Sequence, residues 1–193
     1  MWFTKTWAQP ERWFNTFSVT RMIAKIRFKN FNQDWKKFVF DAGIHIIYGE
    51  SGVGKSSLLD VFQGKRLKDS LNFEMNISID PGLKVYRIFH NPDHQIIAST
   101  VSNEITFAGE CKQLDPKQLK EILDRNLKYL PDYIDPMMNP GYLSGGEKEL
   151  LNLVTALDFD SDILLIDDGL SFLSEENKVH CLAMMKDWIE RSG

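Results

Sequence analysis

The residues most clearly arranged for chemistry are Gly49-Glu50-Ser51-Gly52-Val53-Gly54-Lys55-Ser56, followed by Ser57. The pattern G-x-x-x-x-G-K-S suits phosphate. Its glycines let the backbone curl so that successive N–H groups converge on phosphate oxygens. The helix that follows adds the partial positive charge of its N-terminus. Lys55 is placed to reach the β- and γ-phosphates of a nucleotide, and the Ser56 hydroxyl to hold Mg²⁺. Ser57 reads most simply as the next residue of that helix. Together these residues, Gly49 to Ser57, form the candidate nucleotide-binding segment. By itself the pattern says only that a nucleotide is bound.

Two further groups sharpen the reading. The apolar run Ile163-Leu164-Leu165-Ile166 ends in Asp167 and Asp168. A buried strand delivering a carboxylate in this way is a second Mg²⁺ anchor, so Asp167 is a candidate metal residue. Asp168 is then placed to orient or deprotonate a water. Gln95 is a third candidate metal ligand beside Ser56 and Asp167. Leu143-Ser144-Gly145-Gly146-Glu147 leads into a helix, and its serine and glycines form another anion-binding turn. Alone, a Ser-Gly-Gly turn is more often a cap. In series with the other two motifs it carries weight.

The elements that must position these groups follow from periodicity. Residues 22–31 and 38–40 read as strands, and Ile44–Tyr48 as a short buried strand feeding the phosphate loop. Residues 71–79 and 84–89 read as two more strands around a turn at Asp80-Pro81-Gly82. Asp115-Pro116 predicts a helix start, with Gln118 closing a capping box. Leu119, Ile122, Leu123, Leu127 and Leu130 then recur at helical spacing. Residues 147–157 predict a helix with a stripe of Leu150, Leu153, Val154 and Leu157, and residues 175–191 a closing helix.

The chain has 193 residues, of which 43% are hydrophobic, enough for one domain. Its formal net charge of −4 offers no basic field, so no nucleic-acid partner is expected. Two distant cysteines fit a reduced compartment and form no metal spacing. Residues 1–21 hold Trp2, Trp7, Trp13 and several phenylalanines among charges and Pro10. They read as an upstream extension, or alternatively as an interfacial arm.

The order of the three motifs resembles that of ABC ATPases: a phosphate loop at 49–56, the LSGGE signature at 143–147 and the acidic strand at 163–167. The resemblance covers residues 22–193. Phe89-His90-Asn91-Pro92-Asp93-His94-Gln95 followed by Thr100-Val101 is similar to the ATPases of energy-coupling-factor transporters. The resemblance implies an α/β P-loop NTPase (RecA-like) core with an antiparallel β-subdomain and a small α-helical subdomain over about 100–142. It implies two subunits sandwiching two ATP molecules, homo- or heterodimeric. Ser144, Gly145, Gly146 and Glu147 would then serve the partner's nucleotide. An integral membrane transporter component would dock near residues 90–107, placing the chain on the cytoplasmic face of the cell membrane.

The departures from the family pattern bear on hydrolysis. His90 stands where a glutamine that senses metal and water is expected, and Asp168 where a catalytic glutamate is expected. Leu150 and Thr155 replace common arginines, and the chain stops at Gly193, before the expected switch histidine. Trp35 and Phe31 are both candidates for stacking on adenine. These substitutions favour an ATP-binding transporter subunit with weakened or partner-dependent ATPase activity. The alternative is a non-transporter ABC ATPase acting in DNA repair or chromosome maintenance, disfavoured by the acidic pI and the short helical insert.

Overall fold

The computed structural model describes residues 3–5, 22–30, 36–48, 50–52, 54–65, 73–80, 82–168 and 170–192. They divide into two compact units, Met1–Leu83 and Lys84–Gly193.

In the first unit, β1 (Phe3–Lys5) pairs antiparallel with β4 (Ile46–Tyr48), with Phe3 opposite Tyr48. A strand thus lies inside the segment expected to precede the domain. The central strand β2 (Met22–Asn30) pairs antiparallel with β3 (Lys36–Asp41) and with β5 (Phe73–Ile79). Lys25, Arg27 and Lys29 alternate with Ile26 and Phe28 along β2, the period-two pattern that a strand requires. Helix α1 (Lys55–Phe62) buries Leu58, Val61 and Phe62. Phe62 meets the Phe40 ring edge-on, with centroids 5.5 Å apart.

In the second unit, β6 (Val85–Ile88) and β7 (Ile163–Ile166) pair in parallel, Arg87 opposite Leu165 and Ile88 opposite Ile166. Helix α2 (Val101–Cys111) is capped by Thr100, whose hydroxyl accepts from the Asn103 N–H. Helix α3 (Pro116–Leu127) begins as expected: Asp115 caps it and both arms of the capping box with Gln118 are made. The Leu119 and Ile122 side chains crowd Gly109 of α2, where an added Cβ would come within 2.7 Å of Leu119. Glycine is therefore what lets α2 and α3 approach so closely.

Helix α4 (Gly145–Ala156) departs from the amphipathic stripe. Every residue from Glu149 to Ala156 is buried, polar ones included. It runs through the middle of the unit, against Ile88, Val101, Ile105, Leu173 and Met184. Of its buried polar side chains, Glu149 and Asn152 have hydrogen-bond partners, whereas the Thr155 hydroxyl has none among the described residues. Helix α5 (Glu175–Ser192) closes the unit with Cys181, Met184 and Met185 turned inward.

Candidate functional site

The phosphate loop lies between β4 and α1. Gly54 caps α1 with φ 98°, and Gly52 has φ 77°. A Cβ on Gly52 would meet nothing within 4 Å, so its glycine requirement is conformational: left-handed backbone that other residues rarely adopt. No side chain caps α1, whose N-terminus carries the partial positive charge that favours an anion. The Lys55 ammonium donates to the Glu50 carbonyl at 2.9 Å, curling the lysine back over the loop. Ser56 is exposed and Ser57 half-buried in the first turn of α1. Gly49, Val53, Phe31 and Trp35 lie outside the described residues.

At the end of β7 the two aspartates have different surroundings. Asp167 is paired with the Arg87 guanidinium, Nη2 to Oδ2 at 2.5 Å, the two side chains being 5% and 16% exposed for Arg87 and Asp167. Asp168 is exposed and adopts φ 56°, a left-handed conformation that aspartate tolerates better than most residues. Its Oδ2 lies 3.7 Å from His90 Nδ1. The two residues expected to act on water are thus neighbours.

Gln95 takes a different role from the expected one. Its amide nitrogen donates to the Arg87 carbonyl and its oxygen accepts from the Phe89 N–H, each at 2.8 Å. Both ends of the amide therefore brace the end of β6. The rest of the run from Phe89 is held by its neighbours. Asn91 caps the turn Pro92–His94. Lys148 of α4 pairs with Asp93 at 2.7 Å, and Asn152 donates to the Pro92 carbonyl at 3.0 Å. Buried Glu104 of α2 accepts from the Ile97 and Ala98 N–H groups at 2.9 and 2.7 Å.

The signature turn is built around its own capping box. Ser144 caps α4, its N–H donates to Glu147 Oε2 at 2.6 Å, and the Glu147 N–H donates to its hydroxyl at 3.4 Å. The Tyr133 hydroxyl donates to the other oxygen of Glu147. That bond, with those from Ser144, holds the Glu147 carboxyl below the usual range against a smaller opposing effect of burial. A Cβ on Gly146 would lie 3.0 Å from the Phe172 carbonyl oxygen, and one on Gly145 would lie 3.4 Å from the Phe172 ring. The glycines thus let the segment after β7 lie directly against the turn. Tyr133, Ser144, Gly146, Glu147 and Phe172 border an open cavity of ≈ 440 Å³.

Three residues outside the expected set organise this region. Glu149 of α4 accepts from the Ser171 N–H and hydroxyl at 3.1 and 3.3 Å, and from the Phe172 N–H at 3.0 Å. Burial pushes its carboxyl up, partly offset by these bonds, while the Asp168 charge pushes it further up. Phe172 also approaches His90, with ring centroids 6.4 Å apart. Arg87 is the third. A charged residue in an otherwise apolar strand was its sequence signal, but its partner is 80 positions away.

A family model described as ABC transporter matches residues 38–171. The chain is 29% identical over 182 residues to the energy-coupling factor transporter ATP-binding protein EcfA1 of Mesomycoplasma hyopneumoniae, covering 89% of this chain and 64% of that one. It is 31% identical over 159 residues to the protein of the same name from Fusobacterium nucleatum, covering 73% and 56%. The chain therefore spans less than two thirds of the length of these relatives. A solved Pyrococcus furiosus chain described as an ABC transporter ATP-binding protein aligns with a TM-score of 0.55 at 17% identity, covering 88% of each chain. At that identity the likeness establishes the fold, that of an ABC-type P-loop NTPase.

Proposed function

Because this chain belongs to the ABC transporter family, we propose that it is the ATP-binding subunit of a membrane transporter of the energy-coupling-factor kind, with weak or partner-dependent ATPase activity. The observation that carries the reading is the uncapped start of α1, with Gly54 in left-handed backbone and Lys55 folded over the loop. A triphosphate would take up the first-turn N–H groups and draw the Lys55 ammonium from the Glu50 carbonyl. The relatives' transporter names disfavour the chromosome-maintenance alternative.

Two subunits, identical or not, would close over ATP, each offering Ser144, Gly145 and Gly146 to the other's nucleotide. The Ser144 cap and the packing of both glycines on Phe172 support this role, because they hold the turn rigid at the surface. A membrane-embedded partner would dock near residues 90–107, where Ile97 is 65% exposed. The chain would then sit on the cytoplasmic face of the membrane; no helix among the described residues is long and apolar enough to cross it. In this reading β3-β2-β5 form the antiparallel β-subdomain, and α2 and α3 belong to the helical subdomain of about 100–142.

Asp168, with His90 beside it, would orient the attacking water. Mg²⁺, which supplies charge to offset the phosphates in this chemistry, finds one suitable donor in the Ser56 hydroxyl. The acidic end of β7 does not fit it in the same way, since Asp167 is engaged by Arg87 and Gln95 by the β6 backbone.

The test is ATP binding by the purified chain and by Lys55→Ala, read by titration calorimetry. Losing a charge-assisted contact worth about 1.5–3 kcal/mol should weaken binding about 10–100-fold. Equal affinity in the two proteins would sink the reading. Turnover that rises faster than linearly with protein concentration would show that paired subunits build the working site.

A further inference from the structure

Arg87 projects from β6 and reaches the carboxylate that stands one residue past the end of β7. Its strand position is opposite Leu165, and the Asp167 N–H donates to the Ile88 carbonyl at 3.0 Å, so the backbone sets the reach of the pair. Both side chains are largely withdrawn from water, at 5% and 16% exposed. The guanidinium also lies over the Phe89 ring, 5.4 Å from its centroid. Gln95 clamps the backbone on both sides of Ile88, through the Arg87 carbonyl and the Phe89 N–H. The arginine is therefore a fixed part of the strand's end.

We propose that Arg87 is a built-in counter-cation for Asp167, and that this chain consequently binds ATP with little dependence on a divalent cation. The proposal rests on the ATP-binding reading above. Mg²⁺ binds through one or two carboxylates and demands near-ideal octahedral oxygen geometry. A carboxylate held by a planar guanidinium has lone pairs committed to N–H donors. Bringing a dication to the same oxygens sets it against a fixed positive charge in a poorly hydrated place, where repulsion is little screened. Expelling the arginine would leave a buried charge without its partner, which is strongly unfavourable. The cation that balances Asp167 is thus already part of the polypeptide.

The experiment is equilibrium binding of ATP to the full chain, once with millimolar Mg²⁺ and once with EDTA, for the wild type and for Arg87→Met. The wild type is expected to show affinities within about threefold of each other in the two buffers. Arg87→Met, with Asp167 released, should bind at least about tenfold more tightly in Mg²⁺ than in EDTA. A wild type that binds well in Mg²⁺ and loses ATP in EDTA overturns the proposal while leaving the ATP-binding reading intact. So does an Arg87→Met ratio equal to the wild type's. Absence of ATP binding in both buffers removes the parent reading and this inference with it. Should Arg87→Met fail to fold, the wild-type ratio decides alone, and Arg87→Lys, which keeps the charge, should preserve it.

Discussion

At the start of α1 the groups that would meet an anion are backbone N–H donors with no side-chain cap, presented by glycines in left-handed conformation. At the end of β7 the groups that would meet a metal or a water are carboxylates, and each faces a partner from elsewhere in the second unit. Asp167 has Arg87, Asp168 has His90, and Glu149 has the backbone of Ser171 and Phe172. On the proposed reading, this contrast separates the nucleotide-binding device from the groups that would act on water. The binding device depends on backbone geometry and keeps the family pattern. The acidic region depends on side-chain identity, and there the substitutions accumulate.

Restoring reach is the strongest way to break that comparison. Asp168→Glu adds the methylene that the family's glutamate has. If reach limits water activation, ATP turnover should rise by on the order of tenfold to a hundredfold, as measured by phosphate release. Unchanged turnover would place the limit in the His90–Asp168 pairing instead.

Glu149→Ala tests whether the acidic region is held together by its own carboxylates. It removes the acceptor for two backbone N–H groups and one hydroxyl, and should cost about 1–3 kcal/mol in urea unfolding. Signature-dependent turnover should fall along with it, because Phe172 lies against Gly145 and Gly146. A loss of stability with turnover untouched would confine Glu149 to a packing role.

The smallest effect is a reactivity difference. Burial, reinforced by the Glu149 charge, pushes the Cys181 thiol up to about 11, whereas Cys111 is exposed. A raised thiol pKa keeps Cys181 protonated at pH 8, so a disulfide reagent should modify Cys111 promptly and Cys181 only on unfolding. Prompt reaction of both would show that α5 opens readily from the core.

Much of the second unit was readable along the chain. The start of α3 at Asp115-Pro116, the Ser144 cap and the strand before Asp167 all depend on neighbours within a few residues, and all three stand where expected. The face of α4 differs from expectation: periodicity predicts a stripe, yet Glu149, Asn152 and Thr155 are buried as well. Local pattern cannot show that a helix is covered on every side. Nor could it show Gln95 bracing β6, since that role depends on how the turn Pro92–His94 folds back. Phe31 and Trp35, the stacking candidates, fall outside the described residues, and β1 was missed because Phe3–Lys5 is too short to display alternation.

The phosphate loop, the signature turn and their order are legible along the chain, because each is a short device whose backbone conformation is set by its own glycines and caps. Which charges meet depends on how distant strands pair. Arg87 and Asp167 are far apart in the chain and become partners through the parallel pairing of β6 with β7. An ion pair of that kind follows from strand register and burial, neither of which a linear pattern encodes.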